Sequence, residues 1–61
     1  MNFQMFAAQP WTDEDMQRLT IDEEEILRTR RRHSVTETTF LCNRSRSAVM
    51  RAEKRIMEKL G

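Results

Sequence analysis

The C-terminal stretch NRSRSAVMRAEKRIMEKLG, residues 43–61, decides the fold expected of this chain. Ser45 is a good N-cap residue and Gly61 follows the last periodic position, so a helix is predicted from Arg46 to about Lys59. Its apolar side chains share one narrow arc, and mostly polar and basic ones lie opposite. The arc contains Val49, Ala52, Ile56 and Leu60, with Ala48 and Met57 at its margins. The opposite side contains Ser47, Met50, Arg51, Lys54 and Glu58, with Arg55 beside it.

A tight turn and a short helix are predicted immediately before this long helix. Asn43 tolerates the left-handed backbone conformation better than most residues other than glycine, so it is expected to form the turn. Ser34 or Thr36 can cap the short helix, which is expected to end near Cys42. The order is therefore a short helix, a turn and a longer amphipathic helix.

The register of the short helix stays open at this point. If Cys42 faces the core, then Thr38 and Thr39 point inward while Phe40 and Leu41 point outward. A shift of one residue reverses this arrangement. The apolar pattern of so short a segment does not choose between the two registers.

The N-terminal half predicts a first helix whose continuity past Thr20 stays open. Thr12 is a good N-cap followed by acidic residues, so the helix is expected to begin near Asp13. Thr20 and Glu23 interrupt its apolar face, and they have the spacing of a capping box. The stretch is therefore either one long helix to about Arg30 or two shorter ones that break near Thr20. The apolar face contains Met16, Leu19, Ile26 and Leu27.

Residues 1–10 are expected to form a flexible, poorly structured apolar arm, and residues 11–60 a single domain. The arm carries Phe3, Met5 and Phe6, and Pro10 separates it from the domain. Two roles remain open for these side chains: contact with a partner molecule, or docking onto the core of the same chain. No β-rich run or internal repeat interrupts the helical pattern, so the class is all-α.

Length and composition exclude several classes of protein. The chain has 61 residues with 38% hydrophobic and 34% charged side chains, and it contains one cysteine and one histidine. A disulfide framework, a zinc site and a pocket that encloses a substrate are therefore not expected. We expect no enzyme activity, cofactor, metal or small-molecule substrate.

No apolar run approaches the roughly 20 residues of a membrane span. The start MNFQMFAAQP also lacks the basic region of a signal peptide. No membrane partner is expected. The expected location is the cytoplasm, on the nucleoid in a bacterial or phage setting, or the nucleus in a eukaryote.

Charge is divided sharply along the chain. Residues 13–25 contain seven acidic side chains and one arginine, whereas residues 26–61 contain ten basic side chains and three acidic ones. A basic half of this kind is typical of proteins that bind phosphates, and arginine suits bidentate contacts to phosphate and guanine. The alternative interpretation is a solvated charged surface with attraction between the two halves.

Two segments of the chain carry recognisable motifs. The first is Trp11-Thr12-Asp13-Glu14-Asp15 with Leu19, which has the form W-[ST]-x-[ED]-[ED]. The second comprises Asn43-Arg44-Ser45-Arg46-Ser47-Ala48-Val49 and Arg51-Ala52-Glu53-Lys54-Arg55-Ile56. They resemble the opening and the turn with its recognition helix in Myb/SANT-like helix-turn-helix domains of the small bacterial or phage type. The resemblance covers roughly residues 11–57. It departs from the family in a longer stretch before Ala48 and in the second helix.

The resemblance implies a three-helix helix-turn-helix bundle whose third helix enters the major groove of duplex DNA. Near the start of that helix, Arg46, Ser47 and Met50 are expected to reach base edges, whereas Lys54 and Arg55 are expected to contact phosphates. The expected DNA contacts also include Arg44 and Arg51. The run Arg30, Arg31 and Arg32 either adds phosphate contacts or neutralises the end of a helix.

The function expected from these features is that of a small DNA-binding protein, either a transcriptional regulator or an accessory factor. One helix reads only a few base pairs, so specificity is expected to need a homodimer or a host protein partner. The alternative is a protein-interaction module on the same fold that binds its partner through the acidic first helix.

Overall fold

Five α-helices form the architecture of residues 2–61, which are the residues described by the structure, a computed structural model. Their order is α1 (Phe3–Ala7), α2 (Asp13–Met16), α3 (Ile21–Arg30), α4 (Val35–Leu41) and α5 (Arg46–Leu60). No strand occurs in this described part of the chain. The all-α class is confirmed, with five helices in place of the three expected.

The core lies among the three longest helices. α3, α4 and α5 each contact the other two, and α1 packs against α3. Burial of apolar surface between these helices is the main favourable term that holds so small a fold together. The buried apolar residues are Phe3, Ala7, Met16, Leu19, Ile26, Leu27, Cys42, Val49, Ala52 and Ile56.

The expectation of a poorly structured N-terminal arm is wrong for residues 3–7. The Asn2 side chain accepts a hydrogen bond from the Met5 amide and begins α1. Phe3 is buried, and the Phe6 and Trp11 rings contact each other in a tilted arrangement with their centroids 5.0 Å apart. The Trp11 indole N–H also donates to the Phe6 carbonyl at 2.9 Å. The aromatic side chains dock onto the core of the same chain, which was one of the two open roles. Residue 1 lies outside the described part.

The stretch predicted as a first helix forms two shorter helices, α2 and α3, which was one of the two alternatives. The Thr20 hydroxyl accepts from the Glu23 amide at 3.1 Å, and the Glu23 carboxylate accepts from the Thr20 amide at 3.0 Å. This reciprocal capping box starts α3 afresh after the turn that follows α2. Leu19 lies in that turn and is buried. The helix therefore breaks near Thr20 because α3 begins there with its own N-cap.

The structure selects one register for α4. Ser34 is the N-cap, and its hydroxyl accepts from the Glu37 amide. Cys42 faces the core, and its thiol lies 3.4 Å from the Thr29 hydroxyl. Burial in the core raises the pKa of the Cys42 thiol. Thr38 is buried and Thr39 half-buried, whereas Phe40 and Leu41 are exposed. These positions are those of the register that places Cys42 inward.

The turn between α4 and α5 has the backbone predicted for it. Asn43 has a φ of 53°, which lies in the left-handed region, and the Arg44 amide donates to the Thr39 carbonyl at 3.0 Å. Ser45 then caps α5 by accepting from the Ala48 amide. In the apolar arc of α5, Val49, Ala52 and Ile56 are buried as expected and Leu60 is half-buried. Glu53 is buried beside them, which was not expected.

Candidate nucleic-acid interface

The solvent-facing side of α5 is the site that the sequence singled out. The apolar arc packs against α3 and α4, and this packing turns the opposite side of the helix outward. Fifteen residues give α5 a length of about 22 Å, long enough to span a major groove. The exposed residues on this side are Arg46, Ser47, Met50, Arg51, Lys54 and Glu58.

The basic side chains on this face lack carboxylate partners among residues 2–61. The side chains of Arg51 and Lys54 make no hydrogen bond or ion pair with any described residue. Arg46 donates to the Thr36 hydroxyl at 3.3 Å, a contact between neutral and charged groups that leaves its charge uncompensated. The acidic side chain on this side is Glu58. The face defined by Arg46, Met50, Arg51 and Lys54, which we call the α5 basic face, is therefore positive and available.

Arg44, by contrast, is engaged within the fold. It forms an ion pair with Asp22 at the start of α3, and it also donates to the carbonyls of Cys42 and Asn43. The Asp22 carboxylate raises the pKa of Arg44. These contacts tie the turn before α5 to α3. Arg44 therefore orients the candidate interface, although it was expected to contact DNA.

Arg55 and Lys59 share one buried carboxylate. The Arg55 guanidinium lies 2.9 Å from Glu23 and the Lys59 ammonium 2.6 Å from it. Burial alone would raise the pKa of Glu23, but hydrogen bonds from Lys59, from the Thr20 amide and from Arg55 outweigh it and lower the pKa to about 2. The carboxylate is therefore ionised at neutral pH, and it already neutralises much of the charge that Arg55 was expected to offer to phosphates.

Arg30 is not available as the phosphate contact that the sequence allowed. It is 7% exposed, and its guanidinium pairs with the Glu53 carboxylate at 3.0 Å. The same group donates to the His33 carbonyl at 2.7 Å and lies 5.5 Å from the centre of the Phe3 ring. Arg30 therefore stabilises the end of α3 and joins it to α5 and α1. A phosphate could reach it only if these contacts broke.

The two arginines that follow differ from each other. Arg31 is half-buried and donates to the Ala7 carbonyl at 2.6 Å, which joins the end of α1 to the end of α3. Arg32 is exposed, and its guanidinium makes no hydrogen bond or ion pair with the described residues. Of the three consecutive arginines, Arg32 alone has a guanidinium that is both exposed and unengaged in the described part of the chain.

The acidic half of the chain mostly serves the fold itself. Asp15 accepts from the Thr12 amide, and this hydrogen bond lowers the pKa of Asp15. Glu24 pairs with Arg28 one turn later on α3. Together with the Asp22 and Glu23 contacts, these pairs leave fewer carboxylates for an external partner than the sequence indicated. Among residues 13–25, the carboxylates without an ion pair or hydrogen bond to described residues are Asp13 and Glu14, whereas Glu25 lies near the Cys42 thiol.

No family model, curated protein or solved structure matches the chain. The resemblance to Myb/SANT-like domains therefore rests on the residues quoted for it. Within residues 2–61, no three His, Cys, Asp or Glu side chains are grouped so that they could hold a metal ion. None of the helices described is both long enough and apolar enough to cross a membrane.

Proposed function

We propose that this chain is a small DNA-binding protein that places α5 in the major groove of duplex DNA. In this proposal α4, the turn at residues 42–45 and α5 form a helix-turn-helix, and α3 completes a three-helix bundle. Three observations support it: the mutual packing of these helices, the left-handed turn at Asn43, and the outward direction of the α5 basic face.

The observation that carries the proposal is the division of cations into engaged and unengaged groups. Arg30, Arg44 and Arg55 are paired with carboxylates of the fold. Arg51 and Lys54 are not, and they lie on one side of the same helix. Like charges held close together repel one another, and a bound polyanion relieves that repulsion while its own condensed counterions are released into solution.

The roles within this interface follow from position along α5. Arg46, Ser47 and Met50 lie in the first turns, which enter deepest into a groove in helix-turn-helix proteins, so they face the base edges. Arg51 and Lys54 bind phosphates, and Arg32 adds a phosphate contact from the connection before α4. A single helix reads few base pairs, so the protein acts as a regulator or accessory factor with a second copy or a host protein.

Charge reversal on the α5 basic face tests the proposal. Fluorescence anisotropy of a labelled 20-base-pair duplex would compare the wild type with R51E/K54E and with R18E/R28E at low salt. Both variants change the net charge equally, but Arg18 and Arg28 lie outside α5, Arg18 in the acidic segment 13–25 and Arg28 on α3. We expect R51E/K54E to weaken binding by at least about tenfold, because two phosphate contacts become repulsive. Equal weakening by both variants would mean that net charge alone drives binding, and no binding by the wild type would refute the proposal.

The second candidate function is a protein-interaction module on the same fold. The observation that favours it is the exposed apolar pair on α4: Phe40 is 81% exposed and Leu41 62% exposed. Large apolar side chains that face water often mark contact sites for other proteins. R51E/K54E separates the two functions, because it should weaken DNA binding and leave the binding of a partner that docks on α4 nearly unaffected.

A further inference from the structure

Met50 has no evident role in the fold. Its side chain is 49% exposed on the outer side of α5, away from the core that the apolar arc of this helix fills. Arg46 lies four residues before it and Lys54 four residues after it, so the three side chains follow one another along the same side of the helix. Met50 is flanked by two cations and is not among the side chains that pack against the core, so it is available to contact a molecule outside the fold.

We infer that Met50 is a specificity-determining residue that contacts the C5-methyl group of thymine, an inference that rests on the proposed DNA-binding function. The base edges in the major groove present hydrogen-bond donors and acceptors, and the thymine methyl is the apolar group among them. If an apolar side chain packs against any other base edge, the polar groups of that base lose their hydrogen bonds to water and gain none in return. Met50 therefore favours an A·T base pair at its position.

The spacing along α5 fits this assignment. Residues four apart lie about 6 Å apart along a helix, which is close to two base-pair steps of about 3.4 Å. Arg46 and Lys54 can therefore contact groups on both sides of the base pair that Met50 faces. Ser47 lies on the adjacent part of the helix surface with a short side chain, which leaves the flexible thioether room to approach the methyl group.

Removal of the thymine methyl tests the contact directly. Anisotropy titrations would use two 20-base-pair duplexes, one of alternating dA and dT and one in which every thymine base is replaced by uracil. The two duplexes carry the same charges and hydrogen-bonding groups and differ in the methyl. We expect the wild type to bind the thymine duplex about fourfold more tightly, the value of one buried methyl-sized group.

Three variants show whether a preference comes from Met50. M50Q should bind both duplexes equally, M50L should keep the preference, and M57Q should keep it as a matched control farther along α5. Met57 is 43% exposed, so M57Q makes the same chemical change at a similarly exposed position. Far-ultraviolet circular dichroism would verify that each variant is folded.

The outcomes separate the two proposals. Tight binding of both duplexes without a thymine preference overturns the Met50 assignment and leaves the DNA-binding function standing. A thymine preference that persists in M50Q shows that duplex shape causes it, and this also overturns the assignment. No binding to either duplex overturns the DNA-binding function, and the Met50 assignment with it.

Discussion

Replacement of Glu23 by glutamine is the perturbation whose effect the structure specifies best. The Glu23 carboxylate is buried at the start of α3, where it accepts hydrogen bonds from the Thr20 amide, Arg55 and Lys59. Glutamine has nearly the same shape and can still accept from the Thr20 amide. It lacks the charge, however, so its interactions with the two cations of α5 are weakened. The change therefore isolates the ionic link between α3 and α5.

The size of the effect follows from the pKa. A pKa lowered from 4.5 to about 2 means that the fold favours the ionised carboxylate by about 3 kcal/mol. Because the glutamine keeps one hydrogen bond, we expect E23Q to lower the free energy of unfolding at pH 7 by about 2–3 kcal/mol. A chain of this length has a total free energy of unfolding of about 3–9 kcal/mol, so the loss would be a large part of it.

The assay is urea unfolding followed by far-ultraviolet circular dichroism from pH 7 to pH 3.5. Since folding lowers the pKa of Glu23, the stabilisation is complete above the unfolded value of 4.5 and is lost as the pH falls toward 2. The difference in unfolding free energy between wild type and E23Q should therefore shrink by about 1.4 kcal/mol between pH 7 and pH 3.5. Asp15 and Glu37 also have lowered pKa values, but they occur in both proteins and cancel in the difference.

A difference that stays constant over this pH range would refute the reasoning, because a pH-independent loss would come from packing and not from the charge. E24Q is the matched control on the same helix. Glu24 pairs with Arg28 on the surface, where both side chains are accessible to water. Exposed pairs of this kind contribute little, so E24Q should cost less than about 0.5 kcal/mol at pH 7.

Three further predictions concern stability and are measured by the same urea unfolding. N43V should cost about 1–2 kcal/mol, because a β-branched residue resists the positive φ, whereas N43G should cost less than about 0.5 kcal/mol; equal losses would contradict the turn geometry. E53A should cost about 3–5 kcal/mol, because it leaves the buried Arg30 guanidinium without its carboxylate, and a loss below about 1 kcal/mol would show that the pair is exposed in solution. F3A should cost about 2–4 kcal/mol and M5A less than about 0.5 kcal/mol, since Phe3 is buried and Met5 faces water; indistinguishable losses would mean that α1 is not docked.

Much of the helical architecture follows from local signals in the sequence. Ser34 and Ser45 start α4 and α5, and Asn43 forms the turn between them, because each of these conformations depends on one residue and its near neighbours. The buried arc of α5 is predicted for the same reason, since helical periodicity is a property of a single segment. Neither the register of α4 nor the break at Thr20 could be decided from the sequence, because short segments carry too few apolar positions.

The contacts that join distant parts of the chain were not predictable in this way. The Arg30 and Glu53 side chains that form a buried pair are 23 residues apart, and the sequence offers several other carboxylates for that arginine. The docking of α1 likewise depends on residues far apart in sequence, since Phe3 contacts Arg30 only where α1 packs against α3. For the candidate site, the sequence identified α5 and its exposed side. It did not identify which cations the fold engages, because pairing is set by tertiary structure.

The salt dependence of DNA binding tests the central claim most directly. Anisotropy titrations of a labelled duplex at several salt concentrations would give the slope of the logarithm of the binding constant against the logarithm of salt concentration. Arg32, Arg51 and Lys54 are the cations proposed to contact phosphates, so the predicted slope is about −2.7, at about −0.9 for each phosphate neutralised. A slope shallower than about −1, or no binding at the lowest salt, would contradict the claim that α5 presents a surface for DNA.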